Sequence, residues 1–239
     1  MGLYRAAANF EVTNKDGETR ARTYFFRNHN VVEMSWTPGK HADDTLESTA
    51  EEIEDQWPAL KEVGFDRIDA ILPIPGYTNP TRAYFFSGKE YARIEFQPGN
   101  TVVLHPIEIA TGWPALAEVG FDKIDEAVTR LDVGDGWNIT FFFRGDQYCQ
   151  VKWKESETET QLLLLDGGRK TQSIKEGWPG AGLTEVDTIL PYPGDPTRAY
   201  AFSGSNFSLI NLVDSQPHGA TKARPVAHHF KSLVEAKFY

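Results

Sequence analysis

Cysteine is almost missing: Cys149 is the single one in 239 residues, which rules out an intrachain disulfide. Its setting in an aromatic, β-branched segment reads as a packing position rather than a nucleophile. Long apolar runs are also lacking, so no stretch reaches the length of a membrane span. The N-terminus Met1-Gly2-Leu3-Tyr4-Arg5 has no basic flank followed by an apolar segment, so no signal peptide is expected; the location is read as cytoplasmic or non-classically secreted. Positive charge is short, with 24 Lys and Arg against 34 Asp and Glu, a net charge of −10. That balance excludes nucleic acid as a partner, because phosphate neutralisation needs clustered cations. Small cationic ligands are the better electrostatic match. Catalytic signatures are absent as well: there is no Gly-x-Ser-x-Gly, His-Glu-x-x-His, Walker loop, dinucleotide loop or Cys-x-x-Cys. An enzyme is not expected.

What the chain has is a fourfold internal repeat. Ile53/Trp57/Leu60, Ile109/Trp113/Leu116, Ile174/Trp178/Ala181 and Val226/Phe230/Leu233 each fall at i, i+4, i+7, one face of a short helix. Upstream of each lies a second shared segment. Tyr84-Phe-Phe-Ser-Gly-Lys-Glu-Tyr-Ala-Arg-Ile94 matches Phe141 to Val151 and Tyr200 to Ile210, and Tyr24 to Met34 is the fourth copy. Aromatic and β-branched residues broken by one Gly read as a hairpin, since Gly takes a positive φ without steric cost. Gly88, Gly145 and Gly204 hold that place, and Asn28 holds it in the first copy.

Each unit therefore predicts an inner strand, a hairpin, an irregular outer strand and a short helix ending in Trp-Pro. Four units predict an all-β chain: a four-bladed β-propeller in a single domain over 1–239, with blades at about 3–65, 66–121, 122–186 and 187–239. One blade cannot bury its aromatic faces alone, so blades pack sheet against sheet. Thr49 with Glu52 is a candidate capping box for the first helix.

The repeat resembles the hemopexin fold, and among its members the single-domain plant seed albumins and fungal lectins. The residues that carry the likeness are Ile68-Asp69-Ala70, Ile124-Asp125-Glu126-Ala127, Val186-Asp187, the Phe-x-Gly-x-x-Tyr hairpins and the Trp-Pro helices. Blade four departs from it, with Phe230 in place of Trp and no Pro after it. The resemblance implies an axial cation, Ca²⁺ or Na⁺, near the inner-strand starts at Asp69, Asp125 and Asp187. In blade one, two alignments stand: Arg5, or Ala6 after a one-residue shift, with Ala6 supplying only a carbonyl. Animal hemopexin domains tie their first blade to their last by a disulfide, which this chain cannot do. Closure is instead expected from Phe238-Tyr239 meeting the strand around Tyr4 to Phe10. Haem, held between two propellers in the animal protein, is disfavoured, because the six His are scattered over different repeat positions.

Blades two and four also share a loop, Ile71-Leu-Pro-Ile-Pro-Gly-Tyr-Thr-Asn-Pro-Thr-Arg82 against Ile189-Leu-Pro-Tyr-Pro-Gly-Asp-Pro-Thr-Arg198. Pro stiffens both, and Tyr77, Arg82, Tyr192 and Arg198 are the candidate ligand residues, with rings to stack on a sugar and guanidinium groups to bind hydroxyls. A duplicated turn explains the same residues without a ligand. The expected function is a non-enzymatic carbohydrate-binding lectin taking glycans; a polyamine or haem binder of the seed-albumin type and a protein-interaction scaffold are the alternatives. A homodimer is among the expected partners. The loop Asp132-Val-Gly-Asp135-Gly136 reads as a turn in place of a calcium loop, lacking the later Glu.

Overall fold

The computed structural model describes residues 5–15, 17–40, 43–78, 81–96, 100–130, 136–155, 160–213 and 217–238. The 131–135 segment, most of the acidic run at 155–159 and His41 lie outside them.

Strands with near-continuous runs of buried residues pair into four antiparallel sheets, one per repeat. The inner strands are Arg5–Lys15, Ala70–Thr78, Glu126–Arg130 and Thr188–Pro191. Second and third strands form the hairpins Glu18–Arg27/Asn30–Trp36, Thr81–Ser87/Glu90–Glu95, Asn138–Arg144/Gln147–Trp153 and Arg198–Ser203/Asn206–Asn211. The four inner strands touch one another in a ring, first to second, second to third, third to fourth and fourth to first. The result is a closed four-bladed β-propeller. Every hairpin turns through a positive φ, at Asn28 (54°), Gly88 (60°), Gly145 (57°) and Gly204 (54°).

Both faces of each sheet are buried, so the core is four inter-blade seams. Ala6, Phe26 and Val31 meet Ile71 and Phe85 around Trp57, and equivalent clusters fill the other three seams. Trp57, Trp113 and Trp178 are buried, and Phe230 occupies the same slot in blade four at 5% exposure. Burying rings of this size is the main driving force for closing the ring.

The helices differ from expectation in two ways. Trp-Pro does not end the helix but joins two short ones: Ile53–Gln56 is followed by Pro58–Glu62, and Ile109–Gly112 by Pro114–Glu118. Pro fits because it sits at the first helical position, where its missing N–H has no partner to lose. Phe230 adopts the same kink (φ −126°, ψ 71°) as Trp57 (φ −124°, ψ 74°) without a following Pro, so packing of the aromatic ring sets it. The Thr49–Glu52 capping box is not formed: Glu52 itself is the N-cap, with no side-chain cap bond, because 51–52 extend as strand. A side-chain N-cap does form in blade three, where Ser173 accepts the Glu176 amide at 3.3 Å.

Ring closure uses the C-terminal helix Lys231–Glu235. Phe238 packs with Ala7 and Phe25, as the sequence suggested; Tyr4 and Tyr239 lie outside the described residues. Two polar ties, not legible beforehand, join the last blade to the first. The Ser232 amide donates to Asp44 Oδ2 (2.6 Å) and its hydroxyl to the Asp44 carbonyl (3.0 Å), while Arg27 donates to the Lys237 carbonyl.

Candidate functional site: the propeller axis and its mouth

Strand register fixes which residues share a level around the axis. Ala70 pairs with Phe86, Glu126 with Phe143, Thr188 with Phe202 and Ala6 with Phe26. Ala6 therefore stands level with Ala70, Glu126 and Thr188, and Arg5, one residue earlier, takes the place of Asp69, Asp125 and Asp187. The one-residue shift that put Ala6 at the Asp level is corrected to the unshifted alignment.

The three Asp carboxylates have a shared task within their own blades. Oδ2 of Asp69, Asp125 and Asp187 accepts the turn amide of Gly88 (2.7 Å), Gly145 (2.6 Å) and Gly204 (2.6 Å). Each carboxylate thus clamps the hairpin turn beside it. Burial raises the Asp69 carboxyl above its usual range, and the Gly88 amide offsets part of that. Among the described residues, no group of three His, Cys, Asp or Glu gathers to hold a metal.

One level deeper, Glu126 is fully buried in a position that is Ala in blades one and two. Its carboxylate faces the seam with blade four and accepts the amides of Ala127 and Ile189. The Ile189 amide lies on the edge of an inner strand, where the sheet itself offers no partner. Burial pushes this carboxyl well above its ordinary range, the two amides pull it back, and Asp125 and Asp187 raise it further.

At the far end of the inner strands the axis opens into a cavity of about 480 Å³. Its wall is aliphatic, built from Val12, Ile71, Pro73, Val128, Pro191 and Pro193, with Asn9, Thr129, Tyr192 and Asp195 adding the polar groups. Asn9 Nδ2 donates to the Pro191 carbonyl at 2.8 Å, tying blade one to blade four at this rim.

The two Pro-rich loops are not equivalent. Arg198 lies over the Tyr192 ring at 4.4 Å and donates through Nε to Asp195 Oδ2 at 2.6 Å. Asp195 also accepts from the Thr197 hydroxyl (2.7 Å) and amide (3.0 Å), and these bonds, the hydroxyl's first, hold its carboxyl below the usual range. Tyr192 packs in turn on Tyr200, with centroids 5.4 Å apart. The structure therefore unites Tyr192 and Arg198 in one cluster, with Arg198 itself covering a face of the Tyr192 ring. In blade two, Arg82 instead pairs across the strands with Glu95 at 3.0 Å. The Tyr77 side chain lies outside the described residues. Asp195, missed in the sequence, was marked only by its place three residues before Arg198.

His218 is buried against Trp178 (centroids 4.6 Å, 26° between planes), and its Nε2 is 3.2 Å from the Tyr148 hydroxyl. It fills the outer part of a seam, away from the axis.

No family model matches the chain. Albumin-2 of Pisum sativum is 25% identical over 180 residues, 75% of this chain and 70% of that protein. The hemopexin fold protein CP4 from cow pea superposes with a TM-score of 0.74 at 24% identity, covering 96% of both chains. A plant lectin with two metal binding sites from Cicer arietinum gives 0.76 at 20% identity, covering 98% of this chain and 97% of its own.

Proposed function

Taking the chain as a four-bladed propeller of the single-domain hemopexin-like type, we propose that it is a non-enzymatic, lectin-type protein that binds glycans at the loops of blades two and four. The observation that carries this is the Arg198 cluster. A guanidinium held over Tyr192 and anchored at Nε by Asp195 is fixed before any ligand arrives, and its other N–H groups are suited to sugar hydroxyls. Its side chain is 37% exposed. The Cicer lectin supports the reading by its description as a lectin on the same fold. The sugar would meet the Arg edge and the loop in place of an open Tyr192 face. The corresponding contact proposed in blade two is Arg82, with Tyr77 as its sequence partner.

A glycan array and an agglutination assay test this. The parent is expected to bind, and the Arg82→Ala, Arg198→Ala double variant to lose binding with an unchanged circular dichroism spectrum. Absence of glycan binding by the parent rejects the lectin reading.

A second reading, a small cationic ligand drawn to the axis, is favoured by the net charge of −10. An axial Ca²⁺ or Na⁺ belongs with it as a proposal. With one oxygen of each axial Asp bonded to a turn amide, such an ion would rest mainly on main-chain carbonyls, which suit a hard cation. Stripping ions and restoring CaCl₂ or NaCl is then expected to raise the melting temperature, because a ligand bound only by the native state stabilises it.

A further inference from the structure

The blades alternate in a way that the repeat does not require. In blade one the Trp36 indole donates to Thr23 Oγ1 at 2.8 Å, and Thr23 donates to Asn9 on the inner strand at 2.5 Å. Blade three repeats this relay: Trp153 donates to Thr140 at 2.8 Å, and Thr140 is hydrogen-bonded to Thr129 at 2.8 Å. Blades two and four hold Ala83 and Ala199 at the Thr position, paired with Pro73 and Pro191. Around the mouth the level therefore reads Asn9, Pro73, Thr129, Pro191: two polar groups across the axis from each other, separated by two prolines. Both polar groups are held by a buried chain reaching back to a Trp.

These four residues line the 480 Å³ cavity. Small-molecule sites commonly span about 300–1,000 Å³, are mostly apolar and carry a few fixed polar groups. The wall here is preformed, because Pro residues and paired strands leave little to order on binding. Among the described lining residues the charged one is Asp195, which Arg198 already pairs with and Thr197 hydrogen-bonds. Among the same residues a charged ligand would find no free counter-charge on this aliphatic wall, whereas a neutral one loses little on leaving water.

We infer that this mouth is a binding site for a small, neutral, aliphatic molecule bearing one hydroxyl or carbonyl group. Its chain lies against Ile71, Val128 and Pro191, and its polar end bonds at Thr129 or Asn9. The mouth shares the Tyr192–Asp195 loop with the proposed glycan site, but neither Arg82 nor Arg198 lines it.

Calorimetric titration with octan-1-ol, octylammonium and octanoate, which share a chain length and differ in head charge, tests the inference. Octan-1-ol is expected to bind saturably and both ions at least about tenfold more weakly, the scale of about 1.4 kcal/mol. Val12→Trp fills the mouth from a position that is 45% exposed, so folding is retained while octan-1-ol binding is lost. Thr129→Val is expected to weaken octan-1-ol about tenfold, the loss of one fixed hydrogen bond. Absence of saturable octan-1-ol binding, tighter binding of octylammonium or octanoate, or undiminished binding by Val12→Trp overturns it. The octan-1-ol titration requires no glycan binding by the parent, so the two proposals are judged separately.

Discussion

The Asp187 carboxylate accepts the backbone N–H of Gly204 at 2.6 Å, and Asp125 with Gly145 and Asp69 with Gly88 repeat the bond. The repeat thus preserves a turn clamp. Its strength should follow burial, because a buried amide left without an acceptor costs more than an exposed one. Asp69 is 8% exposed, whereas Asp125 is exposed and Asp187 half-buried. Asp69→Ala is expected to cost about 2 kcal/mol and Asp125→Ala about 1 kcal/mol or less. Urea unfolding measures both, and equal losses at the two sites would contradict the clamp.

Most of the architecture was legible because the repeat lies in side chains that pack: Trp57, Trp113 and Trp178 recur at one helical position, and Gly88, Gly145 and Gly204 recur where φ must be positive. Phe230 could be placed in the Trp slot for the same reason. The axis was less legible. Register around it depends on pairing with the second strand, so Ile124-Asp125-Glu126-Ala127 did not announce that Glu126 would be buried where Ala6 and Ala70 stand. The Trp–Thr relays left a signal, Thr23 and Trp36 lying 13 apart and Thr140 and Trp153 likewise. It escaped notice because hydrogen bonds across three strands have no local period. The loop kinship of blades two and four was plain, yet its two Arg residues found different partners, Glu95 from the facing strand and Asp195 from the loop itself.

Glu126 gives stability a pH dependence. Burial keeps its proton bound in the folded state at pH values where the unfolded chain has released it. Stability from this group is therefore whole below the ordinary value of 4.5 and falls as pH rises from there through the elevated folded value. Glu126→Gln cannot ionise. It is expected to match the parent near pH 4.5 and to exceed it in unfolding free energy at about pH 8. A gap between the two proteins that stays constant over that range argues against a buried neutral carboxyl.

Cys149 is fully buried, and burial pushes its thiol up to about 12. Only the thiolate attacks a disulfide reagent, so the native protein should be inert to such reagents at neutral pH. Labelling is expected to follow the urea unfolding curve. Rapid labelling of the native protein would show that the seam between blades two and three opens on its own.

Arg82 and Arg198 are both ion-paired near the surface, and such pairs contribute about 0.2–1 kcal/mol. Each single Ala variant should therefore keep its melting temperature within a few degrees. Arg198→Ala is expected to lower glycan affinity more than Arg82→Ala, because Arg198 is held both by Asp195 and over the Tyr192 ring. Equal losses would place the two half-sites on one footing.

The most direct measurement of the ligand assignment is calorimetric titration of the parent with its strongest array glycan and with spermine, at low and high NaCl. Sugar binding through hydroxyl hydrogen bonds is predicted to be nearly independent of salt, since neutral contacts are not screened. Spermine binding that is tight at low salt and falls steeply as salt rises, with no glycan bound at either, would contradict the lectin account and assign the axis to a cationic ligand.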